Sequence, residues 1–127
     1  MEKKVIATNK APAALGAYSQ GILLDNGLVY TSGQLGIDPE TGEFADGIEA
    51  QTRQALDNVK AILETAGSSM DKAVKISIFI SDMGNFSKID AEYKKYFSEG
   101  CYPARSVVEV ACLPKNGMLE VEAIALV

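Results

Sequence analysis

The sequence predicts an α+β fold: a six-stranded mixed sheet with two amphipathic helices on one of its faces. Three observations carry the prediction. Two segments repeat apolar residues at the helical period, and six others alternate or form short apolar runs. Their order along the chain is β-β-β-α-β-α-β-β. Two helices cannot cover both faces of such a sheet, so they share one face and the other must be hidden elsewhere. At 127 residues, 47% apolar and 23% charged, the chain suits one core and is too short for two ordinary domains. Residues 1–127 are therefore read as a single domain without linker or repeat.

Residues 5–8 form the first strand candidate. Residues 22–24 and 28–32 follow, joined by Asp25-Asn26-Gly27, a hairpin signal because Asn and Gly tolerate the positive φ of tight turns. The clearest helix spans 47–66. Ile48, Ala55, Leu56, Val59, Ile62, Leu63 and Ala66 recur on one side, opposite Arg53, Gln54, Asp57, Lys60 and Glu64, and Gly67 offers a left-handed stop. Residues 74–80 alternate Val74, Ile76, Ile78 and Ile80 against Lys75, Ser77 and Phe79, the period of a strand. A second helix over 86–98 aligns Phe86, Ile89, Tyr93 and Phe97, with Asn85 as N-cap and Gly100 beyond its end. Strands at 105–111 and 119–126 close the chain. The uncovered sheet face predicts self-association, which the apolar C-terminal residues Ile124, Leu126 and Val127 favour.

Composition narrows the chemistry. The chain has no histidine, which removes Ser-His-Asp and Cys-His nucleophile systems, the usual zinc ligand sets and any imidazole base. Seventeen Asp and Glu against twelve Lys and Arg, a net charge of −5, speak against a broad nucleic-acid surface and for a small-molecule substrate. No apolar run approaches bilayer length, and the start lacks a signal-peptide core, so a cytoplasmic location without membrane contact is expected. In that reducing compartment Cys101 and Cys112 are read as packed or free thiols.

Among possible site residues, Arg105 opens a strand after Tyr102-Pro103-Ala104. Its guanidinium offers a planar fork that suits a carboxylate, or it pairs with Glu109 or Glu122 as structural glue. Glu120 and Glu122 share a strand face with Ile124 and Leu126. An acid there needs a partner, solvent or a proton, and it either lies at a solvated edge or positions water beside a bound anion. Were the last two strands a plain hairpin, Glu120 would oppose residue 110, roughly 17 Å from Arg105. Cooperation therefore requires another pairing or a site assembled between subunits. Gly16-Ala17-Tyr18-Ser19-Gln20-Gly21 is a turn-prone loop able to set a phenol over a ligand or to cover a core edge. At Ser32-Gly33-Gln34 the missing side chain lets a ligand approach the backbone. Asp38-Pro39-Glu40-Thr41-Gly42 reads as a surface turn. Lys60 and Lys75 sit at polar positions, unlike a desolvated Schiff-base lysine.

Together these segments resemble the reactive intermediate deaminase family, RidA or YjgF-like. The resemblance is carried by GAYSQG at 16–21, TSGQLGIDPETGE at 31–43 and PARSVVEVACLPKNGMLEVEAIA at 103–125, and it runs nearly end to end. It implies a fold similar to chorismate mutase, in a homotrimer whose sheets form a central barrel with clefts between subunits. It also implies hydrolysis of 2-aminoacrylate-type enamines and their imine tautomers, including 2-iminopropanoate and 2-iminobutanoate, to 2-oxo acids and ammonia, without cofactor or metal. By resemblance Arg105 clamps the substrate carboxylate, Glu120 holds the attacking water or supplies a proton, and Tyr18 lines the cleft. Ser32, Gly33, Phe86, Asp90 and Val107 complete the pocket. The chain departs from the family pattern at three places. Val107 stands where many members carry Cys, Asp90 replaces a common asparagine, and Ala17 replaces a frequent proline. The alternatives are a ligand-responsive binder of 2-oxo acids read by a partner protein, and a ribonuclease or translation inhibitor, against which the acidic charge and missing histidine argue.

Overall fold

The computed structural model describes residues 2–127. Nine regular elements follow one another: β1 (Lys3–Ile6), β2 (Gly21–Leu24), β3 (Leu28–Thr31), β4 (Gln34–Leu35), α1 (Ile48–Thr65), β5 (Ala73–Ile80), α2 (Phe86–Tyr93), β6 (Ala104–Glu109) and β7 (Leu119–Leu126). The strands form one mixed sheet in the order β1-β2-β3-β7-β5-β6, and β4 extends the β3 side of β7. The expected six strands are present, with the two-residue β4 as an addition.

Local chemistry sets the element ends. Between β2 and β3, Gly27 takes φ 90° and donates its N–H to Leu24, 3.1 Å, while Asn26 accepts from the Leu28 N–H, 3.2 Å. This is the turn expected there. Helix α1 buries Ile48, Ala55, Leu56, Val59, Ile62 and Leu63 and breaks at Gly67. Helix α2 is shorter than its apolar stripe predicts. It ends at Tyr93, passes through a tight turn over Lys94–Tyr96, and reaches extended backbone at Phe97. Phe97 nonetheless keeps its place in the core, its ring 4.8 Å from that of Tyr93. Asn85 makes no side-chain cap; Asp82 instead accepts from the Gly84 N–H at 2.8 Å, one turn earlier.

The core lies between the helices and one sheet face. Ile76, Ile78 and Ile80 of β5 and Leu119, Val121, Ala123 and Ala125 of β7 meet α1 and α2 there. The helices are tied by Glu92, which accepts from Arg53 at 2.8 Å and Lys95 at 3.1 Å, and by the Tyr96 hydroxyl on Asp57, 2.7 Å.

Directly paired residues of neighbouring strands share a face. The pairs Val5 with Ile22, Ile22 with Tyr30 and Tyr30 with Ile124 therefore make a transverse apolar row on the face without helices. Val5 is 58% and Tyr30 41% exposed in the single chain. The expectation that two helices leave one sheet face open is met.

Strands β6 and β7 do not pair. Strand β5 lies between them, parallel to β6 and antiparallel to β7. The plain hairpin is thus absent, and the register brings a consequence of its own for the candidate residues.

Candidate active site

Arg105 stands at the start of β6, paired with Ile76, which pairs in turn with Ala123. Ile76 and Ala123 are core residues on the helix face, so Arg105 projects to that side. Glu120 pairs with Phe79, which pairs with Val108, on the opposite face. Three residues along β5 and two strand spacings also separate them, about 14 Å between backbones. Removing the hairpin therefore does not unite Arg105 and Glu120 within one chain. The sheet itself lies between them.

Each belongs to its own cluster. On the helix side the Arg105 guanidinium sits 4.7 Å from the centre of the Tyr93 ring and 5.4 Å from that of Phe86, an arrangement that holds a cation by the ring quadrupoles. Its Nη1 donates to Asp90 Oδ1 at 2.7 Å, and among the described residues this is its one hydrogen bond. The partner is neither Glu109 nor Glu122. Glu109 accepts from the Met83 N–H, 2.7 Å. Asp90, Tyr93, Lys94, Tyr102, Pro103 and Arg105 line an open cleft of about 450 Å³. Val107 is half-buried one strand repeat beyond Arg105 and packs against the core. The Tyr93 hydroxyl is buried and has no partner among the described residues. Burial pushes its pKa up to about 12, with Arg105 pulling the other way.

On the other side, Tyr18, Ser32, Gly33 and Glu120 do come together. They share a cleft of about 660 Å³ with Pro12, Leu15, Leu35 and Lys115, among others. Strands β3 and β4 flank β7 in succession, and the break between them is Ser32-Gly33. Leu35 pairs with Glu120 itself. A Cβ at position 33 would stand 2.7 Å from Glu120 Cδ and 2.8 Å from its Oε1, so the carboxylate lies directly over the Gly33 backbone. Burial raises the Glu120 pKa above the ordinary carboxylate value, and the neighbouring Glu122 adds to the rise. A half-buried carboxylate that holds its proton more firmly than an exposed one is suited to proton exchange with a bound ligand.

Gln20 is a positioning residue that residue type alone does not single out. Its buried Nε2 donates to the carbonyls of Thr8, Ala11 and Pro12, and its Oε1 accepts from the Thr8 N–H at 2.6 Å. The loop carrying Leu15, 85% exposed, and Tyr18, 52% exposed, is thereby pinned at its base. Lys115 also lines this cleft, with φ 55° beside Asn116 at φ 59°, a left-handed pair at the cleft rim. The Pro-Lys-Asn-Gly run around it is the only sequence signal. The 38–42 segment forms the expected turn, with Gly42 donating to the Asp38 carbonyl at 2.8 Å. Cys101 and Cys112 are free and exposed. Among the described residues no helix is long and apolar enough to cross a membrane.

Comparison with known proteins gives this architecture its place. Residues 8–127 match the family described as Endoribonuclease L-PSP. The chain is 49% identical over 125 residues to the 2-iminobutanoate/2-iminopropanoate deaminase of Salmonella typhimurium, covering 97% of each chain. Among solved structures, Escherichia coli TdcF with bound serine is 42% identical with a TM-score of 0.91, covering 98% of each chain. RidA from an Antarctic Psychrobacter is 45% identical with a TM-score of 0.93, covering 98% of this chain and 99% of that one. The chain is similar nearly from end to end to RidA-type deaminases, and it belongs to the Endoribonuclease L-PSP family.

Proposed function

We propose that this protein is a cytoplasmic, single-domain imine deaminase that hydrolyses 2-aminoacrylate, 2-iminopropanoate and 2-iminobutanoate to 2-oxo acids and ammonia. The activity is that named for the Salmonella relative, 49% identical over nearly the whole chain, and the serine held by TdcF is a small 2-amino acid of the same size class. The observation that carries the reading is Arg105, a guanidinium braced over two aromatic rings beside an open cleft and engaged through Nη1 alone. A substrate carboxylate takes the donors left over.

The reaction needs little else. A protonated imine is already electrophilic at C2. Water held by Glu120 adds there and gives Glu120 one of its protons. The carbinolamine nitrogen then takes that proton and leaves as ammonia, while the hydroxyl passes its remaining proton to the freed Glu120 carboxylate and the C–O bond becomes a carbonyl. Proton transfer of this kind supplies about 10²- to 10⁴-fold, and fixed orientation supplies more. Since Arg105 and Glu120 project to opposite faces of one sheet, the working site joins the Arg105 cluster of one protomer to the Glu120 cluster of its neighbour. The exposed transverse row of Val5, Tyr30 and their neighbours is the surface that closes a homotrimer. The ribonuclease reading finds less support, because each cleft presents a carboxylate, Asp90 or Glu120, to what would be a polyanion.

The test is a coupled assay in which a pyridoxal-dependent dehydratase generates the imine and its decay is followed. Wild-type protein accelerates the decay, while Arg105→Ala and Arg105→Lys remain folded and do not, because an ammonium cannot reproduce the fork. Full activity of Arg105→Lys removes the clamp from the mechanism.

A further inference from the structure

We infer that Asp90 makes this site selective for zwitterions, so that ligands with a cationic nitrogen beside their carboxylate bind well and plain 2-oxo acid anions bind poorly. The inference rests on the reading of Arg105 as the carboxylate clamp.

The Arg105–Asp90 contact is single-pointed, Nη1 to Oδ1 at 2.7 Å, with 27% and 40% of the two side chains exposed. Among the described residues Oδ2 of Asp90 accepts no hydrogen bond, and Nε and Nη2 of Arg105 donate none. One acceptor edge and one donor edge therefore face the same cleft. A lone guanidinium would hold any small carboxylate, substrate and product alike. An ion pair is neutral as a whole, and an incoming anion meets the Asp90 carboxylate as well as the guanidinium. A 2-iminium or 2-ammonium acid escapes that repulsion, since its carboxylate meets Arg105 while its nitrogen donates to Oδ2. The four charges then alternate in sign around the contact.

The reaction converts such a zwitterion into an anion, so the site loses half of its complementarity when the carbon–nitrogen bond breaks. Product departure is built into the charge pattern. Lys94 lines the same cleft, so removal of the Asp90 charge would leave two cations to retain the 2-oxo acid.

The experiment compares two ligands with one carbon skeleton, 2-aminobutanoate and 2-oxobutanoate, by calorimetric titration of the assembled wild-type protein and of Asp90→Asn. Asparagine keeps an oxygen for Arg105 Nη1, removes the charge, and puts an amide donor where the ligand nitrogen would meet Oδ2. Wild type should bind the amino acid more tightly. In Asp90→Asn the amino acid should weaken about tenfold and the 2-oxo acid tighten about tenfold, the scale of one charge-assisted hydrogen bond. KM for the imine should rise, and inhibition by 2-oxobutanoate should become evident. Affinities that stay unchanged, that move in the same direction, or that cannot be detected for either ligand in wild type overturn the inference. Imine turnover by the same wild-type preparation separates the two readings. Turnover without the affinity reversal sinks the zwitterion selectivity alone, and reversal without turnover sinks the deaminase alone.

Discussion

Gly33 and Glu120 can be separated from the rest of the protein by a single methyl group. In Gly33→Ala the new Cβ meets the far end of a side chain, 2.7 Å from Glu120 Cδ, so the carboxylate swings away and the backbone stays. Activity should fall at least tenfold, given the sensitivity of positioned groups to shifts of about 1 Å, with Tm close to wild type. An active Gly33→Ala would show that the carboxylate does no work where it lies. Glu120→Gln gives the complementary result. The native state raises the Glu120 pKa, so its protonated form is favoured by folding and its ionisation costs stability. That cost is absent below the ordinary carboxylate range and fully present above the raised value. Calorimetric melts should therefore show Glu120→Gln more stable than wild type at pH 8, the gap closing by pH 4, while its turnover is lost. If Glu120 draws the proton from water, the wild-type rate rises with pH through that raised pKa, and a flat profile removes it as the base.

Among the elements, the junction of β4 with α1 is the least forgiving. A Cβ on Gly36 would stand 2.5 Å from the carbonyl oxygen of Gln51 and 2.7 Å from its Cα, atoms of the first helical turns that cannot rotate aside. The Gln51 side chain also accepts from the Met118 N–H at 3.2 Å, so displacement of α1 disturbs the entry to β7. Gly36→Ala should cost about 2–3 kcal/mol in urea denaturation, as overpacking does, where Gly33→Ala costs little. Equal midpoints would contradict this. What could be read in advance follows the same division. Helix α1 and strand β7 are long and strongly periodic, and their bounds were legible to within a residue. Helix α2 was over-extended because Phe97 stays in the core after the backbone has left the helix, and β6 because Val110 still donates to Ile80, 2.9 Å, beyond the strand. A two-residue strand such as β4 has no period to detect. Arg105 and Glu120 stood out by residue type, but periodicity assigns faces within a strand and not neighbours between strands. That β5 intervenes, and that the two side chains point apart, needed the register.

At the scale of the whole molecule, the proposed site shared between protomers would make assembly a condition of activity, and two inactive variants can test it together. A chain carrying Arg105→Ala keeps an intact Glu120 cluster, and one carrying Glu120→Gln keeps an intact Arg105 cluster. If each site draws Arg105 from one protomer and Glu120 from the next around a closed ring, co-expression in equal amounts restores some sites. An interface is wild-type only when a Glu120→Gln chain supplies the arginine side and an Arg105→Ala chain the glutamate side. Random mixing makes this true of about a quarter of interfaces, so the mixture should show about a quarter of wild-type turnover although neither parent shows any. Were both groups recruited from one chain, every site would retain one defect and the mixture would stay inactive. Tyr30→Glu supplies the control from the other side. It puts a charge into the exposed apolar row between Ile22 and Ile124, leaves the core untouched, and should shift the protein toward monomers in light scattering while abolishing turnover. An active monomer would place the complete site within one chain, against the opposed directions of Arg105 and Glu120.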